Sequence, residues 1–377
     1  MIWLIIIYTL LILYGLVIIF YTIQWIQSKN HFLDDVKKPQ TQFTILIPAR
    51  NEEQNIEALL HSITQNQYPK EWFEVIVIDD HSTDNTFDVV NQFIASSEHQ
   101  IRIKKLEADH INSYKKKAIE MGISLAKNDW IICTDADCIV PQKWLQSFDL
   151  LIQNNKVQFI AAPVAFTSEN SLLSIFQNLD FITLQGITAA SVFSKTHNMC
   201  NGANVAYSKN AFHQVGGFAG IDHIASGDDL LLMHKIDQAF PNQTLYLKST
   251  EAIVKTIPPQ NWKSFINQRI RWASKSTQYD DKRIFWVLIV VYFLNLGILS
   301  TAILSIFNSQ FLNSLLILIL LKTVVEFPFV FSVAHFFKKS KLMIWFLFFQ
   351  PLHITYTVVA GFLGVFGSYQ WKGRTVK

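Results

Sequence analysis

Ile131-Ile132-Cys133-Thr134-Asp135-Ala136-Asp137-Cys138 is an apolar run that stops at two carboxylates, one residue apart. A short apolar run halted by acids reads as a buried strand that delivers polar groups at its carboxyl end. In open α/β sheets, ligands bind at that end of the strands. Two hard oxygen ligands there suit Mg²⁺ or Mn²⁺, an ion that most often bridges a substrate's phosphates. Taken alone, the pair reads more readily as a solvated Asp-x-Asp turn. The flanking chain decides between the two.

Working outward, residues 40 to about 258 alternate apolar runs with helical patterns, which argues for βαβ units and a mainly parallel sheet. Phe43 to Ile47 is a strand ending at Pro48-Ala49-Arg50-Asn51-Glu52. Asn55 to Gln65 has helical spacing, and Val75 to Ile78 is a second strand ending at Asp79-Asp80-His81-Ser82. Ser82-Thr83-Asp84 opens a helix through Phe93 with capping side chains to hand. Ile101 to Leu106 is a third strand, and Lys115-Lys116-Lys117 precedes a helix to Ala126. Several strands thus end in polar groups on what should be one edge of a sheet, and that repetition points to a site. A dinucleotide-binding oxidoreductase would want Gly-x-Gly-x-x-Gly after the first strand, and here that turn holds no glycine. No glycine loop of the nucleotide triphosphatase type occurs either.

The chain is too apolar for an ordinary soluble enzyme. Of its 377 residues, 50% are hydrophobic, and the mean hydropathy is +0.22. A soluble domain joined to a few membrane spans fits this balance. A net charge of +3 is too small to argue for nucleic acid, while 30 Phe and 10 Trp suit membrane interfaces. Cys133, Cys138 and Cys200 match no zinc spacing and read as reduced core residues.

Residues 1–28 carry no charge and form an N-terminal anchor, with a span at roughly Ile2 to Ile26. Lys29, Lys37 and Lys38 follow it, so the positive-inside rule places the next domain in the cytoplasm. Residues 284–368 form a C-terminal transmembrane region of about three hydrophobic segments: Ile284 to Phe307, Phe311 to Phe337, and Leu342 to Ser368 with Pro351 inside it. Lys322 and Glu326 in the second segment are four apart and read as a pair facing the bundle interior. Lys338, Lys339 and Lys341 mark a cytoplasmic loop. The basic tail, residues 369–377 with Lys372, Arg374 and Lys377, would lie outside if all three segments cross; a re-entrant last segment would keep it inside. The expected location is a multi-pass protein of the cell inner membrane.

Between these regions, Leu172 to Val192 reads as a long helix near the membrane or an acceptor. Asn201-Gly202-Ala203-Asn204 turns into a short strand, Gly216-Gly217-Phe218 is a turn, and Gly227-Asp228-Asp229-Leu230 starts an amphipathic helix that the two acids would cap. Gln260 to Tyr279 is helical, and its spacing puts Gln268, Arg271 and Trp272 on one face. The plain reading of that helix is an interfacial one, with Lys263, Arg269, Arg271 and Lys275 toward lipid headgroups.

Taken in order, Ile47-Pro48-Ala49-Arg50-Asn51-Glu52, Val77 to Asp84, Thr134-Asp135-Ala136-Asp137, Gly202-Ala203-Asn204, Gly216-Gly217-Phe218, Asp228-Asp229 and Gln268-Arg269-Ile270-Arg271-Trp272 resemble the motifs of family 2 glycosyltransferases. The resemblance covers about residues 42 to 275 and is to the membrane branch, which includes β-glycan synthases and ceramide-glucosyltransferase-like enzymes. It implies an α/β fold of GT-A type: a Rossmann-like mixed sheet flanked by helices, here residues 40–280, with transmembrane helices at both ends.

The resemblance also implies roles. Asp80 would hold the base of the nucleotide, uracil by the family's habit, with Pro48, Ala49 and Glu52. Asp135 and Asp137 would form the D-x-D motif, with Asp137 the direct ligand of Mg²⁺ or Mn²⁺. Asp229 would be the general base, and Gln268, Arg271 and Trp272 would lie near the diphosphate and the acceptor. The family often has Gly-Lys where this chain has Tyr114-Lys115, and Glu-Asp where it has Asp228-Asp229. The expected partners are a nucleotide-sugar donor, a glycan or lipid acceptor, the membrane, and a membrane subunit or second copy. The expected product is a polysaccharide, with a single-sugar glycolipid as the rival. A non-catalytic sugar-nucleotide-binding scaffold is the alternative from another class, and a transporter is disfavoured by the few spans.

Overall fold

Apolar runs in the middle of the chain become strands, and the amphipathic runs between them become helices. The computed structural model describes residues 2–31, 38–107, 113–167, 171–222, 224, 227–274, 282–367, 369–371 and 374–376. Lys37, Lys275, Ser368, Lys372 and Lys377 lie outside the described residues, as does the expected helix from Lys275 to Tyr279. In chain order, α1 (Ile2–Gln27) precedes β1 (Phe43–Ala49), α2 (Ile56–Thr64), β2 (Phe73–Asp79), α3 (Thr86–Ser96), β3 (Ile101–Lys105) and α4 (Tyr114–Leu125). Then follow β4 (Trp130–Cys133), β5 (Cys138–Ile139), α5 (Trp144–Asn154), β6 (Phe159–Ala161), β7 (Val164–Phe166) and α6 (Leu172–Ser194). β8 (Val205–Ser208), α7 (Lys209–Gln214), α8 (Asp228–Ala239), β9 (Thr244–Tyr246) and β10 (Val254–Thr256) come next. The chain closes with α9 (Trp262–Ala273), α10 (Lys282–Phe307), α11 (Gln310–Phe336) and α12 (Gln350–Phe366). Residues 369–371 and 374–376 of the tail pair as a short antiparallel ribbon.

These elements fall into two compact units. One is built from Met1–Gln27, Ser168–His197 and Pro258–Lys377, the other from Ser28–Thr167 and Asn198–Ile257. The expected 40–280 domain is thereby split: α6 and α9 group with the long apolar helices and not with the sheet.

The sheet unit has seven strands in the order β3-β2-β1-β4-β8-β6-β9. β3, β2, β1 and β4 run parallel, while β8 is antiparallel to both β4 and β6. The sheet is therefore mixed, as the GT-A resemblance implies. All of β2 is buried, as a strand covered on both faces must be. The buried Glu74 carboxylate near the amino end of β2 is fully satisfied. Glu74 accepts from Thr44 Oγ1 at 2.8 Å, from Arg102 Nη2 at 2.6 Å and from the Lys127 N–H at 2.7 Å. β1 has β2 on one side and β4 on the other, so the chain reverses direction of growth at β1 and opens a crevice beyond its carboxyl end. A second, three-stranded sheet, β5-β10-β7, flanks the first.

In the helical unit, α1, residues 283–307 of α10, and α11 are long and apolar enough to cross a membrane. α1 and α11 run side by side in the same direction. Trp25 meets Phe336 with ring centroids 5.4 Å apart, and farther along Tyr14 donates to Glu326. The expected Lys322–Glu326 pair forms at 2.6 Å, and Gln350 completes it, accepting from Lys322 Nζ at 2.8 Å and donating to Glu326 at 2.6 Å. Each charge is thus paired and hydrogen-bonded, the condition for burying it in an apolar bundle.

The third hydrophobic segment does not fold as one helix. Ser340–Trp345 is a short 3₁₀ turn, and α12 starts afresh at Gln350 with Pro351 in its first turn, where a missing N–H costs nothing. The first turn of α12 meets the middle of α11 through Gln350. Its later turns lie against the first half of α10, where Gly361 faces Tyr292, and against the end of α9, where Gly364 faces Ala273.

Candidate active site

The carboxyl ends of β1 and β2 are laced into one platform. Asp80 N–H donates to the Ala49 carbonyl at 2.7 Å. Arg50 Nη1 donates to the Asp80 carbonyl at 3.0 Å and lies 3.7 Å from its carboxylate. Asn51 and His81 both take left-handed backbone, with φ of 53° and 54°, and so turn their loops toward one another. The Asn51 N–H donates to Ser82 Oγ at 3.0 Å, and the Thr83 N–H donates to Asn51 Oδ1 at 2.8 Å. Glu52 is buried and fixed: its N–H donates to Thr86 Oγ1 at 2.8 Å, and its carboxylate accepts from Asn55 Nδ2 at 2.8 Å. Asp80 is buried, with His81 Nδ1 3.0 Å from its carboxylate. Pro48, Ala49, Glu52 and Asp80, named separately from the sequence, thus come together on one edge.

Beyond β4, Asp135 and Asp137 sit on the turn into β5, closed by a 3.1 Å bond from the Cys138 N–H to the Asp135 carbonyl. Asp135 keeps 39% of its side chain exposed, against 13% for Asp228. From the first turn of α4, Lys115 Nζ reaches Asp135 at 2.8 Å and Asp228 at 3.4 Å. Burial alone would push this lysine down; the fields of Asp135, Asp228 and Asp229, with the hydrogen bond to Asp135, outweigh it and hold the ammonium well above the usual lysine range.

Asp228 and Asp229 open α8 after Gly227, which has a φ of 77°. Asp229 accepts from the Gly202 N–H at 2.6 Å and from the Leu230 N–H at 2.8 Å. Gly202 is needed as glycine here: a Cβ on it would stand 3.3 Å from both Asp229 Oδ2 and Lys115 Nζ. Asn204, two residues on, is fully buried and spent on the scaffold. It accepts from Trp144 Nε1 at 2.9 Å and donates to the Pro163 and Ala252 carbonyls, each at 2.8 Å.

Two lysines belong to this site that the sequence reading left out. Lys115 ties the D-x-D turn to α8. Lys116, almost fully buried, donates to the carbonyls of Ile221 at 2.6 Å and Ile224 at 2.5 Å, on the loop that leads to Asp228. A signal was present. The first turn of α4 holds three lysines and no acid, the wrong charge for a helix N-terminus unless something opposite calls for it. Cys133 and Cys138 are packing groups, since burial pushes the Cys133 thiol up to about 12 and raises Cys138 as well, whereas Cys200 is only half-buried and not the core residue expected.

Gln268, Arg271 and Trp272 lie on α9 in the helical unit, so the structure describes them apart from the sheet-edge acids. Here one expectation is corrected. Arg269 does not face headgroups; it is 4% exposed and paired with Asp180 of α6 at 2.5 Å. Its guanidinium lies 4.2 Å from the Trp272 ring centroid and 4.8 Å from that of Phe265. The ion pair and two ring faces offset part of the cost of burying the guanidinium. Phe181 lies 6.0 Å from Trp272, and Tyr356 of α12 donates to Asp180.

Residues 44–216 match the Glycosyl transferase family 2 domain. A poly-β-1,6-N-acetyl-D-glucosamine synthase of Staphylococcus epidermidis is 23% identical over 273 residues, 68% of this chain and 62% of that protein. Glycosyltransferase AglE of Haloferax volcanii is 26% identical over 187 residues, 50% of this chain and 58% of that protein. The chain thus spans about 60% of the length of the curated relatives it matches. Among solved structures, mannosyltransferase PcManGT from Pyrobaculum calidifontis, in complex with GDP-Man and Mn²⁺, superposes with a TM-score of 0.59 at 16% identity, covering 96% of this chain and 98% of that one. That likeness shows the GT-A fold.

Proposed function

The chain carries a glycosyl transferase family 2 domain, and from that premise we propose that it is a membrane-bound inverting glycosyltransferase that extends a glycan from a nucleotide-sugar donor, UDP-linked by the family's habit. The observation that carries the proposal is the convergence of Asp135, Asp228 and Asp229 around Lys115, beside the platform that holds Asp80. An acid cluster with one cation at the carboxyl edge of a mixed sheet suits a sugar linked to a diphosphate.

The roles follow from chemistry. Asp80, Pro48, Ala49 and Glu52 receive the nucleoside. Asp229 is the base: an acceptor hydroxyl is a poor nucleophile, and a placed carboxylate that takes its proton is worth about 10²–10⁴-fold. Its two backbone N–H bonds fix the carboxylate and leave a lone pair on each oxygen for that proton. The hydroxyl oxygen bonds to the anomeric carbon as the bond to the diphosphate breaks, in one inverting step. Lys115 stands where charge gathers on the leaving group. On α9, Gln268 and Arg271 serve the diphosphate side and Trp272 the acceptor.

For the metal, no group of three or more His, Cys, Asp or Glu able to hold an ion occurs among the described residues. A protein-only cage is therefore not the fit. Two carboxylates on one turn, Asp137 with Asp135, suit Mg²⁺ or Mn²⁺, which keep water and phosphate as their other ligands. Bound there, the ion supplies positive charge against the leaving diphosphate.

The lysines after α1 and α11 support a cytoplasmic side of the cell inner membrane for both helix ends and for the catalytic domain. α12 starts at mid-bundle and returns toward the end of α9, which supports a re-entrant last segment with the basic tail inside.

The test is to incubate membranes with radiolabelled nucleotide sugars and Mg²⁺ or Mn²⁺ and to size the product. A ladder is expected. A single glycolipid band would move the acceptor to lipid, and sugar-nucleotide binding with no release of nucleoside diphosphate would leave a scaffold. Asp229→Asn is expected to abolish transfer while donor binding persists; full transfer in that variant refutes its role.

A further inference from the structure

Arg269 occupies a spacer position of Gln268-Arg269-Ile270-Arg271-Trp272, where the motif itself assigns it no task. Its surroundings are built, not incidental. The guanidinium is buried and pairs at 2.5 Å with Asp180, a carboxylate equally withdrawn from solvent. Asp180 in turn accepts from the Tyr356 hydroxyl of α12. The same guanidinium lies over Trp272 at 4.2 Å and over Phe265 at 4.8 Å. Behind it, α12 comes so near α9 that a Cβ on Gly364 would stand 2.5 Å from the Ala273 Cβ and 3.0 Å from its carbonyl carbon.

We infer that Arg269, held by Asp180 and Tyr356, is a positioning residue that sets the plane of the Trp272 indole for the acceptor. An indole on a solvent-facing helix turn samples several rotamers. A planar cation fixed by a buried carboxylate selects the one that presents the ring face to it. Three elements, α6, α9 and α12, converge on this guanidinium, so the ring is referenced to the helix bundle and not to its own helix alone. Lysine keeps the charge of arginine but lacks the plane, so the plane is the part that carries the function. The inference rests on the reading that Trp272 meets the acceptor.

The test uses the full chain in lipid nanodiscs, labelled with 5-fluorotryptophan. Of the 10 tryptophans, the Trp272 line is identified by its loss in Trp272→Phe, and the Trp25 line by its loss in Trp25→Phe. Arg269→Lys and Tyr356→Phe are expected to shift or broaden the Trp272 line and to leave the Trp25 line, on α1 against Phe336, in place. A merely structural role would move both. With UDP-N-acetylglucosamine and Mn²⁺, the same variants should lower transfer relative to donor hydrolysis by about tenfold, the scale of a small misplacement in an active site, with UDP binding within about twofold. An unmoved Trp272 line in both variants overturns the positioning role while leaving the acceptor reading intact. Unchanged transfer in Trp272→Ala overturns the acceptor reading, and the purpose of the positioning with it.

Discussion

At the scale of single residues, Gly202 shows how tightly the acid cluster is drawn. Its N–H is the 2.6 Å donor to Asp229, and its missing Cβ leaves room for Lys115. Gly202→Ala keeps the donor but presses a methyl against both groups. We expect about a tenfold loss of transfer with nucleotide binding preserved, read as kcat against donor Kd. Asp137→Ala is expected to weaken Mn²⁺-dependent binding of the nucleotide sugar and to leave metal-free binding of the nucleoside unchanged, measured by calorimetry with and without the ion. Asp80 and Asp135 were legible because each follows an apolar run, whereas Asp228 and Asp229 stood out through the family resemblance. Their mutual arrangement was not. Lys115 and Asp135 are 20 positions apart, and Lys115 and Asp228 are farther still; only strand order brings them within reach of one ammonium. Asn204 taught the converse. It stands inside a family motif, yet every one of its polar atoms is spent on the scaffold.

Elements differ in how much of themselves they write into the chain. β1, β2 and β4 were readable as apolar runs, and α1, α10 and α11 as long, strongly apolar ones. β5, β7 and β10 were not, since strands of two or three residues are too short to show a period of two. β8 was readable as a short strand, but its antiparallel entry was not, because a strand's residue pattern carries no direction. α4 is the element whose composition carried an unread message. Two of its three lysines stand against its own dipole because they are committed elsewhere, Lys115 to acids and Lys116 to loop carbonyls, while Lys117 pairs with Glu120 of the same helix. Lys116→Met fills the same volume but leaves the Ile221 and Ile224 carbonyls without that donor. A loss of roughly 2 kcal/mol is expected in thermal unfolding, from buried acceptors left unsatisfied. Transfer should fall further than stability alone explains, because that loop sets the start of α8. Unchanged transfer would show that the loop and Asp228 are independent.

For the whole molecule, the expected contiguous domain gave way to two interleaved units, one drawing on three stretches of chain and the other on two. Sequence periodicity marks elements but not which distant elements share a core, so α6 and α9 could not be assigned from it. The last hydrophobic segment was open for a similar reason: charge counts left two topologies, and packing of α12 against α11, α10 and α9 favours the re-entrant one. A fluorescent protein fused after Lys377 is accordingly expected to light up in cells, and an alkaline phosphatase fused there to stay silent; the reverse pattern would mean a third crossing. The strand order β3-β2-β1-β4-β8-β6-β9 has a further consequence, for the order of events on the ribosome. β8 lies between β4 and β6 in space but is synthesised after both, with α6 in between. Until Val205 to Ser208 emerge, the two halves of the sheet stand as open edges, each able to recruit a stranger's strand. Translation therefore passes through a window in which this protein is most exposed to aggregation, and the window closes only when β8, the strand that joins the two parts and one of the last made, slides home.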